Sequence, residues 1–106
     1  MDAELRAILG ELRDRLQCIY AERLVHLVLY GSRARGDAQA GSDIDVLVVL
    51  EGDVSPCEEI ARTSEDVARA SLAHNVSIAC AFVSEEQFAR EQSPLLLNVR
   101  REGVSV

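Results

Sequence analysis

The stretch from residue 30 to residue 46 reads YGSRARGDAQAGSDIDV and decides most of what this chain can be. It begins where a short apolar and β-branched run, Val25 to Tyr30, stops at Gly31 and Ser32. Such a run predicts a buried strand, and the glycine-serine pair predicts a turn into a helix-compatible Arg-Ala-Arg. Backbone N–H groups at such a turn can converge on an anion, with the Ser32 hydroxyl as a further donor. The alternative interpretation is a plain strand-to-helix turn with a serine N-cap.

Two aspartates, Asp43 and Asp45, open the next apolar run, which extends to Leu50. In a strand their side chains leave the same face, roughly 7 Å apart along the chain, while Ile44 and Val46 point into the core. Two carboxylates on one face repel each other and favour a divalent cation with oxygen ligands, usually Mg²⁺ bridged to a substrate phosphate. Alone, the pair is also typical of a solvated strand end. Beside an anion-binding turn, it predicts a site for a nucleoside triphosphate with Mg²⁺.

The composition narrows the classes of protein further. The 106 residues are 48% apolar and 27% charged, which predicts a single domain spanning residues 1–106 around one core. A formal charge of −7 argues against nucleic acid as a partner, because the chain repels polyphosphate backbones. All eleven basic residues are arginine, so a Walker phosphate-loop lysine, a Schiff-base lysine and a kinase ATP-site lysine are excluded.

The apolar runs and cysteines indicate the compartment. No apolar run is long enough for a membrane span, and the first twenty residues lack the basic and then apolar pattern of a signal peptide. Cys18, Cys57 and Cys80 form no CxxC pair and are odd in number, which favours a reduced, cytoplasmic chain. Cys18 and Cys80 lie in helical and strand-like patterns, so we expect small buried hydrophobes rather than catalytic thiols.

The hydrophobic periodicity predicts the remaining elements. Apolar residues at three- and four-residue steps indicate an amphipathic helix between Asp2 and Arg23. A second helix begins at Ser55-Pro56 and runs to about Ala73. The inner face predicted for this second helix consists of Ile60, Ser64, Val67, Ala68, Ser71 and Leu72.

The last third of the sequence predicts one strand and two short helices. The strand is Val76 to Val83, with Val76, Ile78, Cys80 and Phe82 on its apolar face. Ser84 with Gln87 resembles a capping box that starts one helix. Ser93-Pro94 opens another that Gly103 can close. The order of elements predicts an α/β domain with a short mixed sheet flanked by helices.

The spacing of Gly31-Ser32, ten residues and then Asp43-Ile44-Asp45 closely resembles the minimal nucleotidyltransferase family of the DNA polymerase β superfamily. The resemblance implies a polymerase β-like nucleotidyltransferase fold. It also implies transfer of a nucleoside monophosphate, commonly from ATP, to an acceptor hydroxyl, with release of pyrophosphate. Gly31 and Ser32 would then hold the triphosphate, and Asp43 and Asp45 would be catalytic and bind Mg²⁺. Arg33 and Arg35, within the motif, suit a phosphate clamp, but solvated ion pairs near Asp37 are an equal alternative.

One departure from the family pattern bears on activity. Fully active members carry a third carboxylate on the following strand, where this chain has Ser77 and Ala79. Loss of a general base typically costs about 10² to 10⁴ in rate. A partner that supplies the group, or an acidic acceptor such as a tyrosine hydroxyl, would offset the loss. The alternative function is a catalytically impaired nucleotide-binding or partner-neutralising module.

The resemblance also implies a partner. Minimal transferases are frequently paired with a separate helical HEPN-type protein in toxin–antitoxin modules, in which the transferase is the antitoxin. An antibiotic-modifying enzyme is the less favoured alternative, because larger relatives of that kind carry a further helical domain. His26 and His74 have no hydrolase partners nearby, so we expect core packing or helix-end capping for both. Arg100 and Arg101 suit the C-terminal dipole of the last helix.

Overall fold

The computed structural model describes residues 3–36 and 43–106, and within them helices alternate with four strands. The helices and strands run in the following order: α1 Ala3–Tyr20, β1 Leu24–Tyr30, α2 Ser32–Arg35, β2 Ile44–Leu50, α3 Pro56–His74, β3 Ile78–Ser84, α4 Glu85–Arg90, α5 Pro94–Glu102 and β4 Val104–Ser105. A single 3₁₀ turn, Ala21–Arg23, joins α1 to β1. The predicted α/β class and the predicted helices and strands are confirmed, apart from the two-residue strand β4, which the sequence pattern did not indicate.

The sheet has the order β3-β2-β1-β4. β1 is antiparallel to both β2 and β4, whereas β2 and β3 are parallel and are joined by the crossover helix α3. This is the short mixed sheet that the sequence predicted. The parallel pair places the starts of β2 and β3 at the same end of the sheet, because parallel strands begin at one edge.

Alternation along β2 divides the core into two layers. Ile44, Val46 and Val48 are fully buried on the face covered by α1 and α3. Leu47 and Val49 are fully buried on the opposite face, against α5 and α4. The longer helices therefore close one side of the sheet, and the short C-terminal helices close part of the other.

The predicted inner face of α3 is correct for Val67 and Ser71, which are half-buried, and wrong for Ile60, Ser64, Ala68 and Leu72, which are exposed. The buried residues of α3 are Glu59, Thr63 and Ala70, while Ile60 and Leu72 are 51% and 82% exposed. The observed buried face is therefore rotated by about one residue from the predicted face, and polar partners of the buried residues explain this difference. Glu59 can be buried because Tyr20 donates a hydrogen bond to its Oε1 atom at 2.7 Å. Thr63 can be buried because its hydroxyl donates to the Glu59 carbonyl at 2.9 Å.

Two further expectations about single side chains are also wrong. Cys18 is exposed, because it lies off the buried stripe of α1. His26 is exposed on β1 and contacts Phe88 in a tilted arrangement, with ring centroids 5.6 Å apart, instead of packing in the core. Cys80 is half-buried, and its desolvation raises the pKa of the thiol to about 12, which suits an inert side chain. His74 is the last residue of α3, as expected for a helix end.

The caps predicted for the C-terminal helices are present. Ser84 and Gln87 form a reciprocal capping box at α4, and the Ser93 hydroxyl accepts the Leu96 N–H at α5. Gly103 is the C-cap of α5. Arg100 joins the two helices, since its guanidinium donates to the Phe88 carbonyl at 2.6 Å and also to the Glu91 carbonyl.

Among the residues that the structure describes, no helix has both the length and the apolar character needed to cross a membrane.

Candidate functional site

The turn after β1 has the shape that its sequence predicted. Gly31 adopts φ +77°, ψ −158°, and its carbonyl accepts the N–H groups of Ala34 and Arg35 at 3.1 Å. This one-turn helix, α2, ends at Gly36, which is left-handed at φ +80°. We call residues Gly31 to Gly36 the GS turn. The first amide of a helix has no acceptor in a preceding turn, so that of Ser32 lies at the open end of the GS turn.

Asp43 and Asp45 lie on one face of the sheet, as predicted. Ile44 and Val46 between and after them are fully buried against α1 and α3, so the two carboxylates emerge on the opposite face. Asp43 is exposed and Asp45 is half-buried. Desolvation, and then the charge of Asp43, raise the pKa of Asp45 above its ordinary value. A bound cation would relieve this repulsion, so the donor set fits a divalent metal.

Tyr30 is the third polar side chain beside this pair. It lies directly opposite Asp45 in the antiparallel pairing of β1 with β2 and is half-buried. Desolvation, and then the negative charge of Asp45, raise the pKa of the Tyr30 hydroxyl. Tyr30 therefore carries its proton at neutral pH and can act as a hydrogen-bond donor at the edge of the site.

The GS turn and the carboxylates are in contact. A β-carbon built on Gly31 would lie 2.5 Å from the Oδ2 atom of Asp45, closer than real side chains approach. The structure therefore brings together Gly31, directly after β1, and Asp45 on β2, which are 14 positions apart in the sequence. The glycine is required twice here, for its positive φ and for the space beside the carboxylate.

Arg35 forms an ion pair that the sequence did not indicate. Its Nη1 atom lies 3.0 Å from the Oε2 atom of Glu102, the last residue of α5. The predicted neighbour Asp37 falls within residues 37–42, outside the described part of the chain. Arg33 is half-buried within the GS turn. Glu102 is 67 residues beyond Arg35, and no spacing rule connects the two positions.

The neighbouring strand β3 contributes no carboxylate to the pair. Ala79 lies in register with Asp45, and the Ser77 carbonyl accepts the Ile44 N–H at 2.8 Å, which places Ser77 beside Asp43. Within residues 3–36 and 43–106, no group of three or more histidine, cysteine or acidic side chains is arranged to hold a metal ion. The described site thus has two carboxylates next to two small side chains, Ser77 and Ala79.

Comparison with known proteins gives a consistent result. A family model described as a nucleotidyltransferase domain matches residues 5–96. A protein of Methanocaldococcus jannaschii, provisionally named a protein adenylyltransferase, is 29% identical over 75 residues, which is 71% of this chain and 75% of that protein.

Solved structures share the fold. A toxin–antitoxin structure with AMP-PNP superposes with a TM-score of 0.65 at 22% identity, over 98% of this chain and 72% of that one. A structure described as a minimal nucleotidyltransferase gives 0.59 at 24% identity, over 100% and 97% of the two chains. A complex of tri-AMPylated Shewanella oneidensis HEPN toxin with MNT antitoxin gives 0.55 at 21% identity, over 96% and 67%.

Proposed function

Because the chain belongs to the nucleotidyltransferase domain family, we propose that it transfers AMP from ATP to an acceptor hydroxyl. The observation that carries the proposal is the contact between the GS turn and the aspartate pair, with Gly31 against Asp45. An anion-binding turn and two cation-binding carboxylates within one contact distance suit a triphosphate chelated by a metal. Neither half of this arrangement alone would favour a nucleotide over another anion.

In this proposal the residues have separate roles. The amide and the hydroxyl of Ser32 bind phosphate oxygens, and Arg33 adds positive charge beside them. Asp43 and Asp45 would hold Mg²⁺, which supplies a counter-charge for the phosphate oxygens as negative charge builds there. The two carboxylates repel each other without a cation, so this pair favours the nucleotide with its metal over the free nucleotide.

The reaction is a displacement at the α-phosphorus of ATP. The acceptor oxygen forms the new P–O bond, the bond to the bridging oxygen of the β-phosphate breaks, and pyrophosphate leaves. The acceptor hydroxyl loses its proton to solvent or to a group of another chain, since Ser77 and Ala79 offer no base. A tyrosine hydroxyl, with an ordinary pKa of about 10, needs less help from a base than a serine hydroxyl does.

We further propose that the acceptor is a tyrosine of a helical HEPN-type protein and that this chain is its antitoxin. Three lines of support are independent of the aspartates. The related M. jannaschii protein carries the name of a protein adenylyltransferase, and the toxin–antitoxin structures share the fold. The net charge of −7 disfavours nucleic acid as an alternative acceptor.

The proposal is tested by incubating the protein with α-labelled ATP, Mg²⁺ and a HEPN-type protein encoded beside it. Label should appear on the partner and should fall by at least about 10²-fold in Asp43→Asn and Asp45→Asn. Asp14→Asn, at an exposed position on α1, is the matched control and should label normally. Normal labelling by both site variants would contradict the proposal.

The second candidate is a nucleotide-binding or partner-neutralising module without catalysis. The small side chains of Ser77 and Ala79 beside the aspartates favour it, because a third carboxylate is absent from β3. Tight ATP or partner binding without transfer of label in any mixture would support this candidate. The variants Ser77→Asp and Ala79→Asp then test whether one added carboxylate restores transfer. A higher rate of label transfer in either variant would identify the missing base.

A further inference from the structure

Strand β3 has an open outer edge. It ends the order β3-β2-β1-β4, so in the described part of the chain no strand pairs with its far side. The Ser77 carbonyl points to β2, and backbone groups alternate along a strand. The N–H and C=O groups of Ile78, Cys80 and Phe82 therefore face outward. Charged residues and proline, which protect open edges from pairing, are absent from Ile78–Ser84.

The helix beside this edge carries an unexpected exposed stripe. Ile60, Ser64, Ala68 and Leu72 follow one another at four-residue steps on α3, and all four are exposed and uncharged. Between this helix and β3 runs an open groove of about 370 Å³, whose lining includes Ile60, Ala68, Ser77 and Cys80. We call the stripe, the groove and the outer edge of β3 together the β3 face. The β3 face is uncharged at its centre in a chain whose formal charge is −7.

We propose that a second copy of this chain covers the β3 face, with the two β3 strands paired antiparallel about a two-fold axis. An uncharged centre is the part of an acidic chain where two copies meet without repulsion. A two-fold axis requires a self-complementary surface, and a strand edge with an apolar helix stripe beside it has this property. The occupant is therefore a second copy rather than a charged partner.

Pairing over the full strand fixes the register. The middle residue of Ile78–Ser84 is Ala81, so Ala81 lies on the two-fold axis opposite its own copy. Cys80 then faces Phe82 of the partner subunit, and both have outward-pointing backbone groups, as a hydrogen-bonded antiparallel pair requires. The α3 stripes meet above the paired strands, with Ser64 and Ala68 near the centre. These small side chains allow the two helices to approach closely.

This register brings a carboxylate of the partner subunit close to the aspartate pair, an inference that rests on the proposed function. When Ala81 lies on the axis, Ser77 lies opposite Glu85 of the partner subunit, the residue that directly follows its β3 strand. Asp43 is the next neighbour of Ser77 on the other side. Two strand spacings separate Asp43 from Glu85 of the partner subunit by about 10 Å at the backbone. Opposing side chains can span that distance around a cation, since Ser77 between them is small. Each subunit would thus supply the third carboxylate that the other lacks.

The size of the β3 face predicts a weak dimer. A strand of seven residues is about 23 Å long, and α3, with nineteen residues, is about 28 Å long. Together they outline on the order of 500 Å² per subunit, near the lower end of specific interfaces. The mass of the full chain should therefore rise with concentration from 11.6 kDa toward twice that value. Sedimentation equilibrium over a micromolar range measures this.

Matched variants assign the dimer to the β3 face. Ala68→Arg places a charge at the centre of the stripe and should raise the dissociation constant at least about 10-fold. Leu72→Asn removes an exposed apolar side chain and should weaken the dimer without affecting folding. Ala73→Arg, also exposed on α3 but off the stripe, should leave the mass unchanged. A wild-type monomer at every concentration, or a dimer indifferent to Ala68→Arg, overturns the proposal.

A mixing experiment tests the shared site. Asp45→Asn and Glu85→Gln should each be nearly inactive alone, the latter by about 10² to 10⁴ in rate. A mixed dimer has one intact site, because Asp45 comes from one chain and Glu85 from the other, so an equimolar mixture should recover about a quarter of wild-type labelling. Full activity of Glu85→Gln, or no recovery on mixing, overturns the shared site. Absence of labelling by the wild type would instead refute the proposed function. The dimer would then be tested by sedimentation equilibrium alone.

Discussion

Gly31 and Asp45 touch across the boundary between β1 and β2, such that a β-carbon on the glycine would lie 2.5 Å from the carboxylate Oδ2 atom. This contact joins the part of the site that suits an anion to the part that suits a cation. Because Gly31 directly follows Tyr30, which pairs with Asp45 in the sheet, the separation of Gly31 from Asp45 is set largely by the pairing of β1 with β2. A site of this kind is sensitive to small additions at the glycine.

Gly31→Ala should abolish most transfer of label and reduce ATP affinity. The alanine is strained at φ +77° and ψ −158°, a region that glycine almost alone adopts, at a cost of about 1–3 kcal/mol, and its β-carbon would displace the Asp45 carboxylate. Thermal unfolding measures the strain, and ATP titration with Mg²⁺ measures the loss at the site.

Two other glycines separate these effects. Gly36→Ala introduces the milder strain of the left-handed helical region, at φ +80° and ψ 10°, into open space, so it should cost less stability and spare Asp45. Gly10→Ala lies inside α1 with nothing within 4 Å of the added carbon, so it should stabilise the protein by about 0.5–1 kcal/mol. Equal losses of ATP affinity in Gly31→Ala and Gly36→Ala would show that contact with Asp45 is unimportant.

Tyr20→Phe should destabilise the fold by about 1–3 kcal/mol, because it removes the donor that satisfies buried Glu59. Glu59 is only 3% exposed, and its remaining described partner is the Arg62 Nε atom at 3.0 Å. Urea unfolding at pH 7 measures the loss. The double variant Tyr20→Phe, Glu59→Gln should lose less than the sum of the single variants, because the two side chains share one hydrogen bond.

The same hydrogen bond predicts an alkaline dependence of stability. Desolvation, and then the bond to Glu59, raise the pKa of Tyr20 above its ordinary value of 10.0. A raised pKa in the folded state contributes stability that is fully present below about pH 10 and is lost as the pH rises through the folded value. The free energy of unfolding should therefore fall above pH 10 in the wild type and fall less in Tyr20→Phe. Parallel curves for the two proteins would contradict this cause.

The sequence was sufficient for the elements whose signals are local. The capping box at Ser84 and the serine-proline start of α5 depend on neighbours three residues away, and both are present. The alternation around Ile44 placed Asp43 and Asp45 on one face, because the period of a strand is two. The GS turn was also predicted, from Gly31 and Ser32.

Features that depend on distant partners could not be predicted. Part of the buried face of α3 was misassigned because Glu59 is charged, and its burial depends on a hydrogen bond from Tyr20, 39 residues away. The ion pair of Arg35 with Glu102 spans 67 residues and has no sequence signal. Strand β4 is two residues long, too short for any periodicity.

Arg35 and Glu102 make a prediction that separates two interpretations of the arginine. If Arg35 only fastens the GS turn to α5, Arg35→Ala should reduce ATP affinity no more than Glu102→Ala, which should itself cost about 1 kcal/mol of stability or less. If Arg35 also binds phosphate, as we expect, ATP affinity should fall several-fold in Arg35→Ala alone. Isothermal titration with ATP and Mg²⁺ compares them, and equal affinities in the two variants would limit Arg35 to the ion pair.

Asp45→Asn should stabilise the metal-free protein at pH 7 while removing its response to Mg²⁺. Desolvation and the charge of Asp43 raise the pKa of Asp45 above 3.8, so its contribution to stability is present below that pH and is lost as the pH rises through the folded value. At pH 7 the ionised pair therefore costs stability, by less than about 1 kcal/mol after solvent screening. Melting curves should show the variant above the wild type at pH 7 and level with it near pH 3. Added Mg²⁺ should raise the Tm of the wild type and of the control Asp14→Asn, but not that of Asp45→Asn. If Asp45→Asn melts at a lower temperature than the wild type without metal, contacts of the Asp45 carboxylate must outweigh its repulsion by Asp43.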